Sequence, residues 1–137
     1  LIVGILDLET GILKLCNAGH NPPILIYPDG QVSYLEFKTQ IFVGVVEDFK
    51  YSDEEVVLEK ESKLFLYTDG VTEAENINKE LYGEEKLLGM LSDNASSDVR
   101  TTVNVVVDSI ASHVKEAEAS DDLTILLIQY EPGTANS

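Results

Sequence analysis

The first half of the chain consists of short apolar runs separated by turn residues, a pattern typical of antiparallel strands. Residues 12–17 alternate apolar and polar positions after a turn at residues 9–11, which predicts a hairpin with the preceding run. The predicted strands cover residues 2–8, 12–17, 24–27, 31–37, 41–46, 56–58 and 63–68. We expect residues 41–46 to be a buried strand, and residues 56–58 to be an edge strand because acidic residues surround them.

The second half of the chain changes to helical spacing. In residues 84–91 three leucines fall on one face, which predicts a short helix. Residues 98–115 are rich in Val and Thr, which favour strands by propensity. Their apolar positions nevertheless recur at helical spacing, and Asp98 supplies an N-cap, so we predict a helix here as well. A last strand is predicted at residues 123–130, before a C-terminal tail at residues 131–137.

Composition indicates one folded domain, which we place at residues 1–130. The chain has 137 residues, of which 44% are hydrophobic, enough for one packed core. Nine Lys and Arg against 25 Asp and Glu give a net charge of −16, which argues against nucleic acid and anionic membranes as partners. A single cysteine excludes an internal disulfide framework. No apolar run approaches the roughly 18 residues of a membrane span, so we expect a cytoplasmic protein.

The start of the chain has an unusual sequence. It lacks Met, and residues 1–6 have the apolar pattern of a core strand. We therefore expect the chain to be the C-terminal part of a longer polypeptide, with room upstream for a sensor or membrane domain.

Asp69 and Gly70 follow a predicted buried strand, which would hold the carboxylate at the end of a sheet. Asp-Gly is also a common hairpin turn, and that alternative stays open at this point. Asp29 and Gly30 serve as an internal comparison, because they lead directly into another strand and so favour the turn. After Gly70 the chain is polar and resumes no strand, which favours a ligand role for Asp69.

A second acidic site, Asp121 and Asp122, directly precedes the last predicted strand. Carboxylates gathered without nearby Lys or Arg repel one another, and a bound divalent cation removes that repulsion. Hard oxygen ligands favour Mg²⁺ or Mn²⁺ over zinc. Taken alone, a solvated acidic turn explains these two residues as well.

Three motifs occur in order along the chain, and together they are more specific than any one of them. They are Asn17-Ala18-Gly19-His20-Asn21-Pro22-Pro23, Leu66-Tyr67-Thr68-Asp69-Gly70-Val71-Thr72-Glu73-Ala74 and Asp121-Asp122-Leu123-Thr124-Ile125. With this combination the chain resembles the bacterial branch of the metal-dependent (PPM-type) protein serine/threonine phosphatases. That branch includes the stage II sporulation protein E and the phosphatases that regulate stress sigma factors. The resemblance covers residues 2–130.

The resemblance implies an α+β fold, an antiparallel β-sandwich flanked by helices. It also implies a two-metal centre of Mn²⁺ or Mg²⁺ whose bridging water attacks a phosphoserine phosphorus. By motif, Asp69 and Asp121 correspond to metal ligands of the family. Gly70 and Asp122 correspond to positions at or beside the metal.

The first motif corresponds to a loop near the site of the family. Its polar members here are Asn17, His20 and Asn21, and the resemblance implies a structural or regulatory role for them. No catalytic side chain is assigned.

One departure from the family pattern is large. The family carries an Asp before a Gly-rich stretch in its N-terminal segment, and this Asp supplies a further central metal ligand. The chain has no such motif, so the resemblance implies a domain that lacks its N-terminal portion. We expect this chain alone to bind metal weakly and to hydrolyse poorly, because in-line attack needs both ions in place.

The function implied by the resemblance is hydrolysis of a phosphoserine protein in a bacterial stress or sporulation pathway. The implied substrate is a phosphorylated anti-sigma-factor antagonist. The alternative is a truncated, phosphatase-like regulatory or binding module without catalysis, and a third interpretation is a purely structural acidic domain. Because a sandwich without its N-terminal strands exposes strand edges, we also expect a homodimer formed through edges near residues 2–8 and 123–130.

Overall fold

Two antiparallel sheets form the computed structural model of the chain, which describes residues 1–38, 40–115, 117 and 122–132. In chain order, the strands of these residues are β1 (Ile2–Leu6), β2 (Ile12–Asn17), β3 (Ile24–Ile26), β4 (Val32–Tyr34), β5 (Glu54–Val57), β6 (Lys63–Tyr67) and β7 (Ile125–Gln129). The first sheet has the order β1-β2-β5, and the second has the order β4-β3-β6-β7. All strand pairs are antiparallel. The α+β sandwich implied by the resemblance is therefore confirmed, as is the edge position of β5.

The two sheets enclose an apolar core between them. Alternation along β2 sends Leu13 and Leu15 inward and leaves Lys14 in solvent, as the sequence period requires. Leu25 of β3 and Leu64 of β6 meet them from the second sheet. This shared core holds the sheets face to face.

Helices cover the other face of the four-stranded sheet. They are α1 (Asp69–Thr72), α2 (Glu84–Asp93) and α3 (Val99–Val114). Leu87 and Leu91 of α2 and Val106 of α3 are fully buried against Ile24 and Phe65 of the sheet. The predicted helices at residues 84–91 and 98–115 are thus confirmed.

The N-terminus of α3 is capped as its sequence predicts. The Asp98 carboxylate accepts hydrogen bonds from the backbone N–H of Thr101 at 3.0 Å and from its hydroxyl at 2.6 Å. This cap and the helical spacing of the apolar face outweigh the strand propensity of the valines.

The predicted buried strand at residues 41–46 is wrong. This segment forms turns, and Phe42, Val43 and Val45 are more than half exposed. An uninterrupted apolar run is typical of a strand buried on both faces, but the strand forms only if another strand pairs with it. Residues 41–46 pair with no strand of the described residues, and Gly44 has a φ of 87°, which turns the backbone away from an extended course.

The strands β1 and β7 lie at the open edges of their sheets. Between them is an apolar cavity of about 290 Å³, lined by Ile2, Gly4, Leu6, Leu13, Leu15, Leu58, Leu64, Leu66, Leu126 and Ile128. The sandwich is therefore unsealed along this side. No helix within the described ranges is long and apolar enough to cross a membrane.

Candidate functional site

The three sequence motifs meet at one end of the sandwich. The antiparallel register pairs Ile24, the first residue of β3, with Phe65 in the middle of β6, and Ile26, its last residue, with Lys63 at the start of β6. It also pairs Tyr67, the last residue of β6, with Ile125, the first residue of β7. The loop before β3, the segment after β6 and the segment before β7 therefore share one rim of the four-stranded sheet, which we call the motif rim.

Asp69 is exposed on the motif rim as the first residue of α1. Its Oδ1 accepts a hydrogen bond from the N–H of Gly70 at 3.2 Å, and Gly70 itself is buried. The chain continues into α1 rather than into a hairpin, so the turn interpretation of Asp69 is wrong. At Asp29 that interpretation is confirmed, because β3 and β4 pair across the turn and Asp29 accepts from the N–H of Gln31 at 3.0 Å.

Thr68 connects the second motif to the third. Its hydroxyl donates to the backbone oxygen of Asp122 at 3.2 Å and accepts from the backbone N–H of Thr124 at 3.1 Å. The backbone N–H of Thr68 also donates to the oxygen of Thr124 at 3.1 Å. The structure thus brings exposed Asp122 beside the residue that precedes Asp69, whereas Asp121 lies outside the described residues.

The loop of the first motif is fixed by its own polar groups. Asn17 is 1% exposed; its amide nitrogen donates to the oxygen of His20 at 2.9 Å, and its amide oxygen accepts from the N–H of His20 at 2.7 Å. The Nδ1 of His20 lies 2.9 Å from the backbone oxygen of Asn21, so Nδ1 carries the proton of this hydrogen bond. These bonds hold the loop in shape and give the imidazole a structural partner.

A pair of tyrosines lies beneath the motif rim, and the sequence motifs did not single it out as functional. Burial raises the pKa of the Tyr67 hydroxyl well above its usual value of 10.0, and the nearby Tyr34 hydroxyl and Glu84 carboxylate raise it further. Burial also raises the pKa of Tyr34. Both hydroxyls stay protonated near neutral pH and do not act there as general bases.

The oxygen chemistry of the motif rim suits a hard divalent cation, with the carboxylates of Asp69 and Asp122 exposed on it. In the part of the chain that the structure describes, no group of three or more His, Cys, Asp or Glu side chains is placed to hold a metal. Over the same described ranges, Asp69 forms no ion pair with Lys, Arg or His.

The fold is that of PP2C-type phosphatase domains. The SpoIIE phosphatase domain of Bacillus subtilis superimposes with a TM-score of 0.73 at 15% identity over 98% of this chain and 57% of that chain. The RsbU and RsbW domains of a Mycobacterium tuberculosis protein give 0.75 at 24% identity, over 97% and 36%. The SiaA-PP2C domain of Pseudomonas aeruginosa gives 0.73 at 22% identity, over 89% and 48%.

The chain belongs to the stage II sporulation protein E (SpoIIE) family, because the sequence model of that family matches residues 1–131. The resemblance stated from its motifs is confirmed. Protein IcfG of Synechocystis is 27% identical over 128 residues, 93% of this chain and 20% of that protein. Phosphoserine phosphatase RsbP of Bacillus subtilis is 28% identical over 127 residues, 92% of this chain and 29% of that protein. The chain thus spans less than a third of either relative.

Proposed function

We propose that the chain is part of a metal-dependent phosphatase domain that hydrolyses phosphoserine in a protein, the substrate being of the anti-sigma-factor antagonist kind. One observation carries the proposal: in a member of the SpoIIE family, the segments at Asp69 and Asp122 meet at the motif rim through Thr68. The relative named as a phosphoserine phosphatase supports the substrate class.

The proposed chemistry assigns distinct roles to residues of the motif rim. Asp69 and Asp121 would hold Mn²⁺ or Mg²⁺, and Asp122 would offer a further oxygen donor. The metal would supply an activated water and neutralise charge on the phosphoryl group. Thr68 joins the two acidic segments through its hydrogen bonds. The buried Gly70 has no side chain, so the backbone beside Asp69 can pass close to a bound metal.

A second candidate function is binding of a phosphoprotein without hydrolysis. The observation that favours it is that the described residues include no group of three or more His, Cys, Asp or Glu side chains placed to hold a metal. A metal held by too few carboxylates misplaces the attacking water, whereas a phosphoserine could still be bound. In both cases residues 1–130 form the domain and residues 131–137 a tail.

We also propose a setting for the protein. It acts in the cytoplasm. It binds neither nucleic acid nor a membrane directly, because a net charge of −16 repels both of these anionic partners. A second copy pairs along the open edges of β1 and β7, which covers the cavity between the sheets.

A phosphate-release assay tests the proposed function. A phosphoserine protein is incubated with the chain, and with the longer protein that carries it, in the presence and absence of Mn²⁺. We expect metal-dependent release that is slow for the chain alone and abolished by Asp69→Asn in the longer protein. Asp29→Asn, at the β3–β4 turn, is the matched control and retains the activity. Tight binding of the phosphoprotein with no release by either protein would favour the second candidate function instead.

A further inference from the structure

The loop between β4 and β5 exposes a dense set of apolar side chains. We call residues 41–50 the apolar loop. Five of its six large apolar residues are between 38% and 64% exposed: Phe42, Val43, Val45, Val46 and Phe49. Scattered exposed apolar residues are ordinary, but a contiguous group of this kind marks an interaction surface.

The apolar loop is closed at its base by one side chain. The amide of Gln40 donates to the backbone oxygen of Ser52 at 2.7 Å and accepts from the N–H of Ser52 at 2.8 Å. The backbone N–H of Gln40 donates to the oxygen of Asn17 at 2.9 Å. These bonds join both ends of the loop to each other and to the end of β2, so the apolar side chains are presented from a fixed base.

The apolar loop adjoins the motif rim. The ring of Phe42 packs directly on Gly19 and leaves no space there for a side chain. Gly19 lies between Asn17 and His20, within the loop that leads to the start of β3. A protein that contacts the apolar loop is therefore brought to the end of the sandwich that carries Asp69.

We propose that the apolar loop is a docking surface for a folded phosphoprotein whose phosphoserine lies beside an apolar patch bordered by Lys and Arg. Charge selects this occupant: residues 36–55 include six acidic residues and two lysines, and the whole chain carries −16. Such a surface attracts a basic border and repels an anionic membrane and the same acidic loop of a second copy. The proposal rests on the proposed function. It adds a contact between the apolar loop and the folded surface of the substrate, which a short phosphoserine peptide cannot make.

A pair of valine variants tests the proposal. Val45 in the apolar loop and Val57 on the outer side of β5 are each 64% exposed, so Val45→Ser and Val57→Ser make the same change at equal exposure. The probes are a folded anti-sigma-factor antagonist domain carrying one phosphoserine, and a ten-residue peptide containing that phosphoserine. Dissociation constants are measured by titration calorimetry, which does not depend on turnover.

We expect Val45→Ser to weaken binding of the folded domain about tenfold, because a valine side chain is no longer buried on docking. Binding of the peptide should not change, and Val57→Ser should match the wild type with both probes. Equal affinity of Val45→Ser and wild type for the folded domain would overturn the docking surface and leave the proposed function standing. Failure of the wild type to bind either probe would overturn both. A dimer that Val45→Ser dissociates would identify a second copy as the occupant and overturn the proposal.

Discussion

The hydroxyl of Thr68 donates a hydrogen bond to the backbone oxygen of Asp122 at 3.2 Å, across 54 positions of the sequence. The same hydroxyl accepts from the N–H of Thr124. One short side chain thus aligns the segment that starts α1 with the segment that starts β7. Its two bonds add to the backbone hydrogen bond from the N–H of Thr68 to the oxygen of Thr124, which joins the same segments.

Replacing Thr68 by Val should therefore lower the Mn²⁺ affinity much more than it lowers the stability of the fold. We expect the unfolding free energy to fall by no more than about 1 kcal/mol, because water can reach the freed backbone groups. The Mn²⁺ affinity should fall about tenfold, since the backbone at Asp122 loses the side-chain bond that positions it beside Asp69. Thr68→Ser keeps the hydroxyl and should restore most of the affinity. Unchanged affinity in Thr68→Val would show that this alignment is unimportant.

Asn17→Ala should destabilise the fold by about 2 kcal/mol, because it removes two hydrogen bonds and leaves polar groups of His20 without partners. Urea unfolding monitored by circular dichroism measures the change. Asn104→Ala, at an exposed position of α3, is the matched control and should cost little. Equal midpoints for the two variants would contradict the structural role of the loop.

The N-cap of α3 should make the unfolding free energy of the protein depend on pH in the acidic range. Hydrogen bonds from the hydroxyl of Thr101, and then from its backbone N–H, lower the pKa of Asp98 from its usual 3.8. A lowered carboxyl pKa contributes stability that is complete well above pH 3.8 and is lost as the pH falls through the folded-state value.

Asp98→Asn keeps a capping oxygen and does not titrate. We expect the stability advantage of the wild type over Asp98→Asn, measured by thermal unfolding from pH 6 to pH 2, to shrink in the acidic range. A difference that stays constant over this range would rule out the capping carboxylate as the source.

Charge placed in the cavity between the sheets should abolish self-association. Leu126 of β7 lines the cavity and is 53% exposed, so Leu126→Lys puts an ammonium group where the second copy would pack. In sedimentation velocity the wild type should be a dimer and Leu126→Lys a monomer, while Val57→Lys, away from the cavity, should stay dimeric. A monomeric wild type at high concentration would refute pairing along β1 and β7.

The hydrophobic pattern of the sequence correctly predicted those strands and helices that depend mainly on the alternation or helical spacing of their own residues. The alternation in residues 12–17 and the helical spacing in residues 98–115 are satisfied by contacts on one face of each element. The strand predicted at residues 41–46 does not form because a strand needs a partner strand beside it, and only the tertiary structure decides which segments pair.

In the candidate site, too, some features follow from local sequence and others depend on contacts between distant segments. The Asp-Gly motif located Asp69, whose environment follows from the end of β6. The bonds of Gln40 to Ser52 and of Thr68 to Asp122 join distant segments, and no local period encodes them. The burial that raises the pKa of Tyr67 likewise comes from packing against other elements, so sequence alone gave no signal for it.

Binding of Mn²⁺ tests the central claim most directly, since it needs neither a substrate nor turnover. The free ion is followed by electron paramagnetic resonance as the chain is titrated, with Asp69→Asn and Asp29→Asn measured in parallel. The account predicts weak but saturable binding by the wild type and by Asp29→Asn, and a loss of at least about tenfold in Asp69→Asn. Equal Mn²⁺ affinity in all three proteins would contradict a metal site at the motif rim.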